Sequence, residues 1–409
     1  MVPRQRFRTV ASAFLVLGLT ISSVCLTAAE EIKIGTLFPY TGGLAAYGPA
    51  IRNGAVLAVD LINQSGGVLG KQVKLAENRD TQTEATIAID AAQKAVNIDK
   101  LPVIIGALSS GVTVPVATSV TIPKKVVLIS PASTSPEITN IKDDGFLFRT
   151  VPSDALQCQV LAKVAKEQHF STISIIYVNN TYGEGLSQAM QSSFEALGGK
   201  VLKTVAFSPG GASYRSEIQK AVKGDPDALL LIAYPENGVK ILRQAIEFGL
   251  ASKFLLTDGM KAPEVIKNVG AKYLNGTYGT APAPLDSAIV KNFREAYQQK
   301  FGEMPPKPYI DTCFDATILA ALAIQKAGAA NGTAIKDHIR DIANAPGEKV
   351  DFTQLTKAIS LLKEGKEIDY EGASGSLTLD QHGDISSGSY GIWKIDNGKI
   401  VDVRVEVIE

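Results

Sequence analysis

The sequence predicts an α/β protein built as two doubly wound lobes, and three observations carry that prediction. From about residue 31 to 150, short apolar runs alternate with stretches whose apolar residues recur at helical spacing, the pattern of a parallel sheet covered on both faces. After Pro152-Ser153 the same alternation starts again. With 409 residues, 45% hydrophobic and 20% charged, the chain can bury two such cores and has no signature of disorder.

In the first half a strand is expected over 32–38, a helix over 47–63 stopped by Ser65-Gly66-Gly67, a strand over 71–77, and a helix over 81–96 capped by Asp80 or Thr81. The stretch 101–139 organises the rest of the chain. It reads as a strand over 103–108, a turn of Ser109, Ser110 and Gly111, a short helix, a strand over 126–130, and a hydroxyl-rich turn over 132–135. Both turns follow a strand, and ligands of open parallel sheets bind at the strand carboxyl ends, where the next helix presents unpaired N–H groups. Ser135-Pro136-Glu137 has the form of an N-cap with proline at the first helical position, which outlines an anion site. Plain helix capping is the competing account of the same residues.

The second half runs helix 155–168, strand 172–178, loop 179–185, a long helix to Leu197-Gly198-Gly199, strand 200–207, helix 214–223, strand 228–233, helix 236–248 and strand 254–257. Residues 273–281 are a candidate crossing between lobes, and helices over 287–301 and 311–327 resume a core. The tail differs: strands over 375–379, 390–395 and 399–405, with Asp396-Asn397-Gly398 as the most explicit hairpin signal in the chain. No flexible linker joins the halves, so a strand-like hinge is expected.

Residues 1–29 are expected to be a secretory signal peptide, with Arg4, Arg6 and Arg8 before an apolar run over 11–19 and cleavage after Ala29. The run is shorter than the roughly 20 residues of a membrane span. A lipidated Cys25 is disfavoured, because Ser22-Ser23-Val24 lacks the residues of a lipidation box. Lys plus Arg equals Asp plus Glu at 41 each, and the leader holds three arginines and no acid, so 38 basic against 41 acidic groups would remain. That balance argues against nucleic acid as a partner. Cys158 and Cys313 are expected to be free and buried, and the scattered His169, His338 and His382 offer no metal spacing, so neither a metal nor a cofactor is expected.

Just after the strands stand Tyr47, Ser109, Ser110, Ser133 and Thr134 in the first half, and Tyr182, Tyr234 and Asp258 in the second. Hydroxyls and helix amides suit a carboxylate, an aspartate suits an ammonium, and tyrosines supply flat walls with a polar tip. Together they could hold a small zwitterion or organic acid between lobes. The competing account makes Asp258 a helix cap and the two later tyrosines surface aromatics.

At these residues the chain resembles the solute-binding proteins of branched-chain amino acid ABC transporters. Tyr40-Thr41-Gly42 with Tyr47-Gly48, Asp60-Leu61-Ile62-Asn63, Gly66-Gly67-Val68, 130–137, Tyr182-Gly183-Glu184-Gly185 and Tyr234-Pro235-Glu236-Asn237-Gly238 carry the resemblance, in order, over nearly the whole chain. It implies the type I periplasmic binding fold: two Rossmann-like lobes joined by a three-segment hinge, with breaks near Pro152, Ala281 and Leu379. Residues 30–150 with 281–377 would form one lobe, and 151–280 with 378–409 the other. It further implies that Ser110 and Thr134, with Ser133 beside them, hold the ligand carboxylate, that Tyr182 and Tyr234 close over it, that Asp258 receives an α-ammonium, and that Tyr47 walls the side chain. The expected function is periplasmic capture of an amino acid, branched-chain or other apolar or aromatic, for delivery to an ABC permease, by a monomer without enzymatic activity.

Some family members have a disulfide reaching the position of Ser109, which this chain lacks. Several relatives bind aromatic or 2-oxo acids, which stays as the alternative ligand class. A hydrolase or nucleotide-using enzyme would need a Gly-x-Ser-x-Gly elbow, a Gly-x-Gly-x-x-Gly turn or a Walker loop, none of which appears. A ligand-sensing receptor module uses the same fold, and it would carry a membrane span beyond residue 409.

Overall fold

The computed structural model describes residues 1–3 and 31–408. The expected leader and its cleavage point lie outside the described residues. Strands β1 (Ile32–Leu37), β2 (Val73–Leu75), β3 (Val103–Gly106), β4 (Val127–Ser130) and β5 (Leu147–Arg149) form one sheet in the order β2-β1-β3-β4-β5, parallel throughout. Strands β6 (Thr172–Val178), β7 (Lys200–Phe207), β8 (Ala228–Ile232), β9 (Phe254–Leu256) and β10 (Tyr278–Pro282) repeat that parallel order as β7-β6-β8-β9-β10. Two short parallel strands, β11 (Glu348–Val350) and β12 (Ile368–Tyr370), pair apart from both sheets. The antiparallel hairpin β13 (Gly388–Asp396) and β14 (Lys399–Ile408) completes the second sheet by pairing β13 with β10.

The central strands β3, β4 and β8 are buried along their whole length, as fully covered parallel strands must be. Strand order reverses between β1 and β3 in one sheet and between β6 and β8 in the other, which gives each lobe one topological switch point. The chain passes between the lobes after Arg149, after Pro282 and before Gly388. The second crossing therefore lies at the end of the expected 273–281 segment, because residues from Tyr278 still pair in the second sheet.

Two expectations differ locally. The helix after β2 begins at Ala85, and Asp80 does not cap it: its carboxylate accepts from the Tyr40 and Thr41 amides and the Thr41 hydroxyl, tying down the loop after β1. Residues 375–379 form no strand of a sheet; Gly375 and Leu379 make isolated bridges to Gly372 and Ile385. The expected hairpin turn is present, with Asn397 at φ 49° and Gly398 at φ 78°, the left-handed pair of a type I′ turn. Beyond it β14 forms the sheet edge, with Val401, Val403 and Val407 exposed and with Asp402, Arg404 and Glu406 ion-paired to Lys261, Glu167 and Lys163. Among the described residues no single helix is long and apolar enough to cross a membrane, no group of three or more potential ligands could hold a metal, and Cys158 and Cys313 are buried and not joined in a disulfide.

Candidate ligand-binding site

Strand ends at the two switch points supply the site. Tyr47 precedes the helix that follows β1, Ser109 and Ser110 start the helix after β3, Tyr182 lies in the first turn after β6, and Tyr234 precedes the helix after β8. Asp258 opens a short turn after β9. Leu44, Ile51, Leu108, Ala132, Gly259 and Tyr309 complete the lining of one cavity with these six residues. It measures about 20 Å³, room for roughly one water, so the lobes are drawn close together. A larger cavity of about 280 Å³ lies behind, where the three crossings meet, and of the residues lining the first it shares only Tyr309.

Contacts across the cavity join the lobes directly. Ser109 Oγ and Tyr234 Oη are 2.8 Å apart, and Tyr47 Oη donates to the Asp258 carbonyl at 3.2 Å. Tyr182 and Tyr234 stack, with ring centroids 5.5 Å apart and planes at 17°, forming one flat wall. Gly259 permits the close approach of that wall, since a Cβ there would meet the Ala233 carbonyl at 2.6 Å and Tyr182 Oη at 3.0 Å.

Asp258 is buried at 3% exposure, and three donors converge on it. Its Oδ1 accepts from Gln157 Nε2 at 3.0 Å and Tyr182 Oη at 2.9 Å; its Oδ2 accepts from Tyr309 Oη at 2.6 Å. Burial holds the Asp258 carboxyl above the usual carboxylate range, against the lowering effect of those donors. Asp154 is buried close by. Desolvation, and after it the Asp258 charge, push its carboxyl well up.

Ser133 and Thr134 are placed differently from the other six. The Ser133 hydroxyl lies 2.7 Å from Thr113 Oγ1 and also donates toward the Leu108 carbonyl, so it braces the loop from behind. Thr134 Oγ1 donates to Asp154 Oδ2 at 2.7 Å, and its carbonyl accepts from the Asp154 amide at 2.8 Å. Neither residue lines the cavity. What Thr134 leaves unpaired is its own N–H, which donates to no acceptor among the described residues. On the facing turn the first helical amides, Ser110 and Gly111, are likewise unpaired there, while Ser110 Oγ accepts from the Ser135 amide at 3.2 Å.

Sequence reasoning does not single out Tyr309 or Gln157. Tyr309 sits at φ 76°, a left-handed conformation uncommon for a tyrosine, at the end of the run Pro305-Pro306-Lys307-Pro308, and that proline run just before an apolar helix is its only signal. Gln157 lies one turn into the helix Asp154–Glu167 and reads in sequence as an ordinary helical polar residue.

A model described as a periplasmic binding protein family matches residues 31–358. The Leu/Ile/Val-binding protein of Rhizobium johnstonii is 29% identical over 373 residues, 91% of this chain and 93% of that protein. Among solved structures, the leucine-binding protein of Thermotoga maritima has a TM-score of 0.77 at 28% identity and covers 91% of this chain and 98% of its own. The branched-chain amino acid transporter substrate-binding protein of Streptococcus pneumoniae, in complex with isoleucine, has a TM-score of 0.76 at 25% identity, over 93% of this chain and 99% of its own.

Proposed function

Because this chain belongs to the periplasmic binding protein family, we propose that it captures a small α-amino acid, branched-chain or otherwise apolar or aromatic, between its lobes and delivers it to an ABC permease. It acts as a monomer in the periplasm after cleavage of its leader behind Ala29, and performs no chemistry on the ligand. With the crossings after Arg149, after Pro282 and before Gly388, residues 31–149 with 283–387 act as one lobe and 150–282 with 388–408 as the other.

The observation that carries the reading is the opposition of charges across the cavity. A buried carboxylate, Asp258, lies on one side; on the other lobe Ser110 lines the cavity with an unpaired amide, and the unpaired amides of Gly111 and Thr134 stand in the same pair of turns. An α-amino acid presents a cation and an anion in that arrangement, and each would be costly to desolvate without such a partner. The Tyr182–Tyr234 wall, with Leu44, Ile51 and Leu108, suits an apolar side chain. The names of the relatives in Rhizobium johnstonii and Thermotoga maritima support the same ligand class.

One observation favours an aromatic or 2-oxo acid instead. Three donors already satisfy Asp258, so the carboxyl does not require an amine. A thermal-shift panel of aliphatic and aromatic amino acids against benzoate and phenylpyruvate separates the two readings. Stabilisation by amino acids is expected; stabilisation only by acids lacking an amine would overturn the amino acid reading.

A further inference from the structure

Arg149 ends β5 and is fully buried, and every arm of its guanidinium is used. Nε donates to Asp384 Oδ1 at 2.6 Å and Nη2 to Asp384 Oδ2 at 2.7 Å, a bidentate pair. Nη2 also donates to Thr139 Oγ1 at 2.9 Å, and that hydroxyl donates in turn to Asp384 Oδ2 at 2.6 Å. Nη1 donates to the Ser135 carbonyl at 2.9 Å and the Ser133 carbonyl at 3.3 Å. One side chain thus holds the loop after β4 by two carbonyls and, on its other edge, the segment before β13 by a carboxylate. The main chain adds to the same seam, with the Arg149 amide donating to the Gly383 carbonyl at 3.0 Å.

The Ser133 contact has a directional consequence. The Ser133–Thr134 peptide is trans, so its C=O and N–H point in opposite directions. A guanidinium fixing the Ser133 carbonyl on one side therefore fixes the Thr134 N–H on the other, and that N–H donates to nothing among the described residues. Arg149 stands just before the first crossing between the lobes and Asp384 just before the third, so the peptide is also referenced to the hinge.

We propose that Arg149 and Asp384 are positioning residues for the anion side of the site: together they aim the Thr134 amide at the ligand carboxylate and tie that aim to the hinge. This rests on the reading that the ligand carries a carboxylate, which both ligand classes above share. A lysine cannot replace the arginine, because a single ammonium cannot span the two carbonyls and both carboxylate oxygens.

The test measures L-leucine against L-leucinol, which lacks the carboxylate, by calorimetry at a temperature where circular dichroism shows each variant folded. Arg149→Gln is expected to weaken leucine by tenfold or more while changing leucinol by less than threefold, and Arg149→Lys is expected not to restore it. Asp384→Asn, which keeps one acceptor and burdens folding less, should give a smaller loss with the same selectivity. If both compounds weaken equally in the folded variants, the pair is only structural and the proposal is overturned. If wild-type protein binds benzoate and not leucine, the amino acid reading fails alone, and benzoate against benzyl alcohol makes the same comparison for this proposal. If wild-type protein binds neither acid, the carboxylate premise and this proposal fall together.

Discussion

Ser109 and Tyr234 meet across the cleft with their hydroxyl oxygens 2.8 Å apart, one at the switch point of each sheet, so this single bond reports whether the lobes are together. Tyr234→Phe removes it and leaves the buried Ser109 hydroxyl without that partner. The net loss is expected to be about 1 kcal/mol of closure. Small-angle scattering without ligand should show a larger particle for the variant than for the wild type, and the two should converge at saturating ligand, since closure is a population shift. Identical unliganded profiles would contradict this.

Asp258 decides the ligand class. With an ammonium bound, Asp258→Ala leaves a buried cation unpaired and should cost about 3 to 5 kcal/mol of binding, and Asp258→Asn less, because it keeps an acceptor. With a 2-oxo or aromatic acid bound, removing the carboxylate should be neutral or favourable. Calorimetry on both variants, run with the best binder of each class, gives the answer.

The same carboxyl sets a pH dependence whose sign comes from its surroundings. Burial between the closed lobes raises its proton affinity, and an ammonium needs it ionised, so affinity for an amino acid is expected to fall as pH is lowered through the raised value. Titrations between about pH 4 and 8 should show weakening on the acid side, with a flatter profile in Asp258→Asn. Affinity that improves on acidification would favour an acid ligand binding a protonated Asp258.

Thr134→Val removes the donor to Asp154 at 2.7 Å and leaves the unpaired Thr134 N–H in place. The cost, roughly 1 to 3 kcal/mol, should therefore appear in stability as a lower melting temperature, with ligand affinity changed little. A large affinity loss with unchanged melting would show that the hydroxyl turns to the ligand.

The fold is legible in the sequence because its signals are local. Apolar runs of β3, β4 and β8 and the Asn397-Gly398 turn state their structure within a few residues, and strand ends then name Tyr47, Ser109, Ser110, Tyr182, Tyr234 and Asp258 as neighbours. What sequence does not carry is which way a side chain turns. Thr134 and Ser133 sit in the expected loop, but their hydroxyls are claimed by Asp154 and Thr113, partners 20 residues away in sequence in each case. Tyr309 reaches Asp258 from 51 residues on, through a left-handed backbone turn that nothing about tyrosine suggests. Asp80 holds a distant loop where a helix cap is expected, because an acid in either role looks alike in sequence.

The outer strand β14 has a bearing on solubility. A ten-residue edge carrying Val401, Val403 and Val407 in the open would ordinarily invite another strand to dock and polymerise. Here every second residue between those valines is charged and already committed to its own lobe: Asp402 to Lys261, Arg404 to Glu167, Glu406 to Lys163. An incoming strand would have to break or desolvate those pairs to gain three valines, so the ion pairs that add little to folding guard the protein against stacking on itself at high concentration.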